Sequence, residues 1–429
     1  MAIFKNKPGN VILATVVSSL QKGTPPLFSG YYKMARLALI FTIFFIGWQT
    51  RAQVMQPQRN AVPSGEVVSG APVIPMSQSR TTEGLAQFLS GHYKTPQEKV
   101  KGLYDWLATN IAYDVQALAR KTLYYEKQAL IAQTLSSRKA LCQGYAEVFQ
   151  EVCAKMGVPA YLVTGFVIPR GMSQPMTHAW CAAQLQGQWY LFDPTWGAGV
   201  VEKGVFISRA NTRYFMVAPA KMIQTHMPFD PLWQLRTQPL TYSEFISSRS
   251  ALPKPKPAFK FLDTLATYRS ATEKAQLTGT IRRMSANPVI PAVVLDQLNH
   301  LKKNLSVIKE NETVDAYNAA VNTFNEGINA LNQFIRYRNN RFLPARSDQE
   351  LRLMASSCAG KFSETRRLLQ QVNPADNTNL FLSLQNMKVS LEKAVAMVQK
   401  QEQFLHRYLS TPVKKREALF YKQALAERQ

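Results

Sequence analysis

Apolar residues recur every three or four positions through the last third of the chain. Val294, Leu298, Leu301, Leu305 and Ile308 form one stripe, and Tyr317, Val321, Phe324, Ile328, Leu331 and Ile335 a second. Leu351, Met354, Cys358 and Phe362 form a third, and Leu384, Met387, Leu391, Ala394, Val398, Leu405 and Tyr408 the longest. This spacing lines one face of an α-helix. Pro344 and the Asn-Pro-Ala-Asp-Asn run at 373–377 supply breaks. Four helices with one apolar seam each predict an antiparallel bundle, an all-α domain over residues 260–429. No His/Glu pairing on these faces builds a metal site.

The pattern differs over residues 81–246, where helix and strand signals alternate. Tyr145, Val148, Phe149, Val152 and Met156 share one helical face, and Gly157 with Val158-Pro159 stops that helix. An apolar strand is predicted over 159–168, followed by a polar loop. Two further strands, 176–185 and 189–196, are joined at Gln186-Gly187. A two-residue hairpin loop pairs Leu185 with Gln188 and sets Trp180 opposite Asp193. His178 and Asp193 then become diagonal neighbours on one face. Cys181 falls on the other face, with Ala179, Ala183, Tyr190 and Phe192. A register shift of one residue would separate His178 from Asp193.

Two segments bracket this region. Residues 53–80, rich in Pro, Gly, Ser and Gln, read as a linker, and 247–259 (SSRSALPKPKPAF) as a second linker stiffened by prolines. The apolar run 37–48 is too short for a bilayer span of ~20 residues. It follows Arg36 and precedes Thr50-Arg51-Ala52, with small residues at the positions a signal peptidase requires. Residues 34–52 therefore read as a signal peptide starting at Met34. Residues 1–33 read as a mis-started or tail segment. The expected location is periplasmic or secreted.

Composition narrows the partners. Of 429 residues, 46% are hydrophobic and 18% charged, as in a folded globular chain. Lys+Arg 51 against Asp+Glu 27 gives a net charge of +24, which favours an anionic cell-envelope surface as a partner. The basic residues are dispersed without an aromatic-rich basic motif, so nucleic acid is not expected. Four cysteines, Cys142, Cys153, Cys181 and Cys358, are too few for a disulfide scaffold, and no CxxC pair suggests zinc. No cofactor is expected.

The chemistry gathers at three residues. Cys142 opens the Tyr145–Met156 helix, where unpaired backbone N–H groups and the helix dipole favour a thiolate. Its backbone N–H can serve as one oxyanion donor. His178 supplies a base and Asp193 a carboxylate to orient it, the arrangement of an activated nucleophile. Cys153 and Cys181 read as core residues.

These residues also carry a resemblance. Cys142-Gln-Gly-Tyr-Ala resembles the nucleophile segment of the transglutaminase-like superfamily. His178-Ala-Trp180 and Trp189-Tyr-Leu-Phe-Asp193-Pro-Thr-Trp196-Gly197 resemble its histidine and aspartate segments. Leu103–Asp114 is similar to the opening helix of bacterial members and kyphoscoliosis-type relatives, and Thr225–Gln234 to the closing segment. Two departures stand out: Ala140 precedes Leu141 where relatives usually have glycine, and Cys181 stands where Asn is frequent. The resemblance implies a papain-like α+β domain with an antiparallel sheet. It implies catalysis by Cys142, His178 and Asp193 on protein or peptide amides through a thioester, as an acyltransferase, amidohydrolase or cysteine peptidase. The alternative is an inert domain of this kind in a cell-envelope binding or scaffold protein that oligomerises through its helical domain.

Overall fold

The computed structural model describes residues 66–68, 70–119, 126–168, 174–247, 257–374 and 377–420. The segments 1–33 and 34–52, the first part of the 53–80 linker and most of the 247–259 linker lie outside these residues. The described chain falls into two units that divide between Leu305 and Ser306.

The first unit opens with α1 (Thr82–His92) and α2 (Pro96–Asn110). α2 starts where its sequence dictates. Thr95 and Glu98 form a reciprocal capping box, and Pro96 occupies the first turn, where its missing N–H costs nothing. The short strand β1 (Ala112–Tyr113) pairs in parallel with β2 (Lys139–Ala140), which follows α3 (Lys127–Ser137) and leads into α4 (Cys142–Lys155). Gly157, at φ +75°, ends α4 with the left-handed residue a helix stop favours.

β3 (Ala160–Val167), β4 (Met176–Leu185) and β5 (Gln188–Phe192) follow as antiparallel neighbours. α5 (Pro194–Ala198) and the hairpin of β6 (Gly199–Glu202) and β7 (Val205–Ser208) lead on to β8 (His226–Pro228), which adds to the far side of β3. The sheet order is β5-β4-β3-β8. Leu185 pairs with Gln188 and Cys181 with Phe192, the register expected from a two-residue loop. Gln186 and Gly187 both take positive φ, matching the twist of the strands they join.

Alternation along the strands builds two cores. Ala179, Cys181, Ala183 and Phe192 face Tyr145, Val148, Phe149 and Val152 of α4. Trp180, Ala182, Trp189 and Leu191 form the opposite core with Val163, Leu232 and Trp233. The expectation of a strand over 189–196 is corrected at its end. β5 stops at Phe192, and Pro194 starts α5, because proline lacks the N–H a ladder needs and suits a first helical turn.

The outer boundaries also differ from expectation. Within 53–80, Met76–Ser79 is a turn of helix, Ile74 is buried, and Val67 bridges Asn211 in the folded unit. Beyond residue 257, α6 (Phe261–Ser270) and α7 (Glu273–Ser285) belong with the sheet unit and not with the later helices. Leu265 packs in the core containing Trp180 and Trp233, and Met284 packs with Phe166 and Met227. Arg283 also pairs with buried Asp230 at 2.6 Å.

The first two stripes of the helical third prove to be one helix, α8 (Ala292–Asn339), because residues 309–316 contain no glycine or proline to stop it. Three helices therefore carry the four stripes, with α9 (Asp348–Gln370) and α10 (Thr378–Ser410). In the second unit, Phe324, Ile328 and Leu331 of α8 share one core with Cys358 and Phe362 of α9 and Leu384, Met387 and Leu391 of α10. No described helix is long and apolar enough to cross a membrane.

Candidate active site

α4 begins at Cys142 itself, with Leu141 as its cap residue. The turn is tight: the Gly144 N–H donates to the Leu141 carbonyl at 2.9 Å. A Cβ on Gly144 would come within 2.7 Å of the Ala140 methyl and 2.6 Å of the Thr134 hydroxyl. Gly144 thus makes room for alanine at position 140. The Tyr145 hydroxyl donates to the Ile111 carbonyl and ties α4 to the end of α2. β1 places Tyr113 beside Ala140, two residues before Cys142.

His178 sits on β4 opposite Gly165 of β3, and Asp193 caps α5. One carboxylate oxygen, Oδ1, accepts the Trp196 N–H at 3.0 Å. The other, Oδ2, accepts two imidazoles: His178 Nε2 at 2.8 Å and His226 Nε2 at 3.1 Å. His226 lies on β8, opposite Val167. β3 therefore carries a histidine strand on each side. Gly165 permits this arrangement, since a Cβ there would meet the Met227 carbonyl at 2.1 Å and the Trp180 ring at 2.5 Å.

All three polar groups are buried, with Asp193 fully enclosed. Burial alone would raise the Asp193 carboxyl, but the charge of His178 and hydrogen bonds from both histidines hold it well below the carboxylate range. Burial likewise works against His178. The Asp193 charge and hydrogen bond, with a hydrogen bond to Cys142, outweigh it and raise His178 to about 10. His226 goes the other way, to about 4, because burial and repulsion from His178 exceed what Asp193 returns. With His178 Nε2 committed to Asp193, Nδ1 is the ring nitrogen left for Cys142. Burial pushes the other thiols up, that of Cys358 to about 11 and those of Cys153 and Cys181 further.

Of the residues named from sequence, His178 and Asp193 are thus in direct contact, and Cys142 lies near enough to the same imidazole to help raise it. From sequence His226 is only a member of the segment that resembles the family's closing stretch, whereas its ring reaches Asp193. Its signal was its place in the Thr225-His226-Met-Pro-Phe-Asp segment, but the β3–β8 pairing that delivers it is a contact between residues about 60 apart. The ligand atoms of His178, Asp193 and His226 lie within 4.8 Å of one another. Their separations of 2.8 and 3.1 Å are those of direct hydrogen bonds, and these occupy the oxygen a metal would need.

Residues 83–194 match the model of the transglutaminase-like superfamily. The mouse kyphoscoliosis peptidase is 34% identical over 159 residues, 35% of this chain and 24% of that protein. The human kyphoscoliosis peptidase is 32% identical over 180 residues, 39% of this chain and 27% of its own. The chain therefore spans about a quarter of the length of these curated relatives. A solved TGase structure aligns at 22% identity with a TM-score of 0.22, covering 27% of this chain and 31% of its own. The cysteine-bearing helix packed on an antiparallel sheet, with the family match over the same residues, makes residues 83–194 a transglutaminase-like domain of α+β fold.

Proposed function

We propose that the first unit is a thiol acyltransferase or amidohydrolase in which Cys142, His178 and Asp193 act as nucleophile, acid/base and orienting group. One observation carries this reading: the buried His178 imidazole, raised in part by the neighbouring Cys142 at the start of α4, is itself anchored by a buried carboxylate at 2.8 Å. The Cys142 sulfur attacks an amide carbonyl, and the backbone N–H of Cys142 steadies the oxyanion. Protonated His178 delivers its Nδ1 proton to the leaving amine. The thioester then passes to water, or to a second amine, with His178 accepting the proton.

We assign the second oxyanion donor to Tyr113, whose strand lies against Ala140. Burial and the nearby Cys142 charge push its phenol up, which keeps it a donor. Protein or peptide amides, including envelope peptide stems, are the substrate class. The name peptidase carried by the mouse and human relatives favours hydrolysis over crosslinking. The segment 34–52, read as a signal peptide, supports a periplasmic or secreted location, and the +24 charge suits an anionic envelope surface.

The test is the pH dependence of Cys142 alkylation in a Cys153→Ala, Cys181→Ala, Cys358→Ala background. Reaction well below the ordinary thiol value of about 8.5, slowed by His178→Ala, is the expected result. A Cys142 that alkylates as a free thiol and ignores His178 would leave the inert scaffold as the function.

A further inference from the structure

Asp193 Oδ2 serves two imidazoles, yet only that of His178 is influenced by Cys142. The second ring, His226, is built into the site as carefully as the first. Trp196 lies 4.6 Å from its centroid, Trp180 5.0 Å and Tyr214 5.8 Å. Its Nδ1 lies 2.7 Å from the Thr225 hydroxyl.

We infer that His226, set by Thr225, is a positioning residue that fixes the Asp193 carboxylate for His178.

The hydrogen count supports this. The Thr225 hydroxyl has one proton and two acceptors in reach, His226 Nδ1 at 2.7 Å and the Met222 carbonyl at 3.3 Å. Given to Nδ1, that proton leaves Nε2 as the N–H of a neutral ring, aimed at Asp193 Oδ2. Given to Met222, it would require a proton on Nδ1. Nε2 would then face the carboxylate with its lone pair, or the ring would become a cation competing with His178 for one negative charge. The first arrangement satisfies every group. Together with the Trp196 N–H on Oδ1, the His226 N–H on Oδ2 leaves the carboxylate no freedom to rotate. The titratable groups facing His226 are Asp193, His178 and Tyr214, and the two tryptophan rings close the remaining sides. The aromatic enclosure disfavours a cation that has lost its hydration, so the Asp193 charge goes to His178.

The inference rests on the proposed Cys142–His178 chemistry for its consequence, and two readouts separate the two. The first is the pH profile of Cys142 alkylation by iodoacetamide in the full chain. Thr225→Val is expected to move the acid limb up by about one pH unit, and Thr225→Ser to restore it. His226→Leu should slow alkylation at pH 6 about tenfold, with most of the rate returning in His226→Gln, whose amide can still donate. Variants that stay folded by circular dichroism with an unchanged profile would overturn the inference.

The second readout is the low-field proton resonance of the His178 Nε2–H···Asp193 bond, which exists whether or not Cys142 is reactive. It should shift or broaden in His226→Leu and return in His226→Gln. A resonance indifferent to both substitutions would also overturn the inference. A wild-type thiol that behaves as a free one, alongside a resonance that responds to His226, would instead remove the catalytic reading and leave the positioning role standing.

Discussion

Asp193 illustrates how much of the site turns on single atoms. Its sequence context foretold a partner for His178, because the hairpin register follows from a two-residue loop and the loop from Gln186-Gly187. It did not foretell that the residue would leave the strand and cap a helix, although Pro194 carried that information. Tyr113 was less legible still, as its nearness to Cys142 depends on a two-residue parallel pairing between β1 and β2. A phenol used only for packing and one used to bind an oxyanion differ in a measurable way. Tyr113→Phe is expected to lower acylation by an activated ester such as p-nitrophenyl acetate by about 10²-fold, the usual loss for one oxyanion donor. Iodoacetamide alkylation passes through no oxyanion and should keep its rate and pH profile. Equal acylation by both proteins would return Tyr113 to the core.

At the scale of elements, the strands and α4 were legible because each is specified locally, by alternation, by a helical face or by a stop at Gly157. What escaped was the allegiance of whole segments. α6 and α7 carry weak stripes that say helix without saying which core they cover. The decisive contact is between Arg283 and Asp230, over 50 residues apart. Arg283 Nε and Nη2 reach both oxygens of the carboxylate, at 2.8 and 2.6 Å, while Thr280 donates to Oδ2 at 2.9 Å. Both partners are largely buried. Arg283→Met strands a buried carboxylate and should destabilise the first unit by about 3 kcal/mol, whereas Arg283→Met with Asp230→Asn should recover part of that loss. The five tryptophans among the described residues lie between residues 106 and 233, so fluorescence-detected urea unfolding reads this unit without the later helices. An unchanged midpoint in Arg283→Met would mean that α7 is held by Met284 and its apolar neighbours alone. The merging of two stripes into α8 makes the same point. Periodicity locates helical faces, and only a breaker, absent between Ile308 and Tyr317, separates helices.

Across the whole molecule, two buried histidines with opposite shifts act on stability in opposite pH windows. His178 is raised to about 10 from an ordinary 6.5, so the folded state holds a proton that the unfolded chain releases between these values. Its contribution is full below pH 6.5 and is lost as pH rises through about 10. His226 is lowered to about 4, so the unfolded chain takes up a proton first. Its contribution is full above pH 6.5 and is lost as pH falls toward 4, by about 3 kcal/mol over that interval. Glu147, which burial raises to about 7, runs against His226: its contribution is full below 4.5 and fades as pH rises through 7. The wild-type curve therefore blends these effects, and the difference between proteins separates them. Urea midpoints read by tryptophan fluorescence should fall less steeply between pH 6.5 and 4 in His226→Gln than in wild type. His178→Gln should flatten the alkaline side and, by removing the repulsion that helps keep His226 neutral, also make the acid slope shallower. Equal acid slopes in wild type and His226→Gln would mean that the folded protein protonates His226 as readily as the unfolded chain does. The ring would then be a cation beside Asp193 at mildly acidic pH, in direct competition with His178 for the charge that holds the site together.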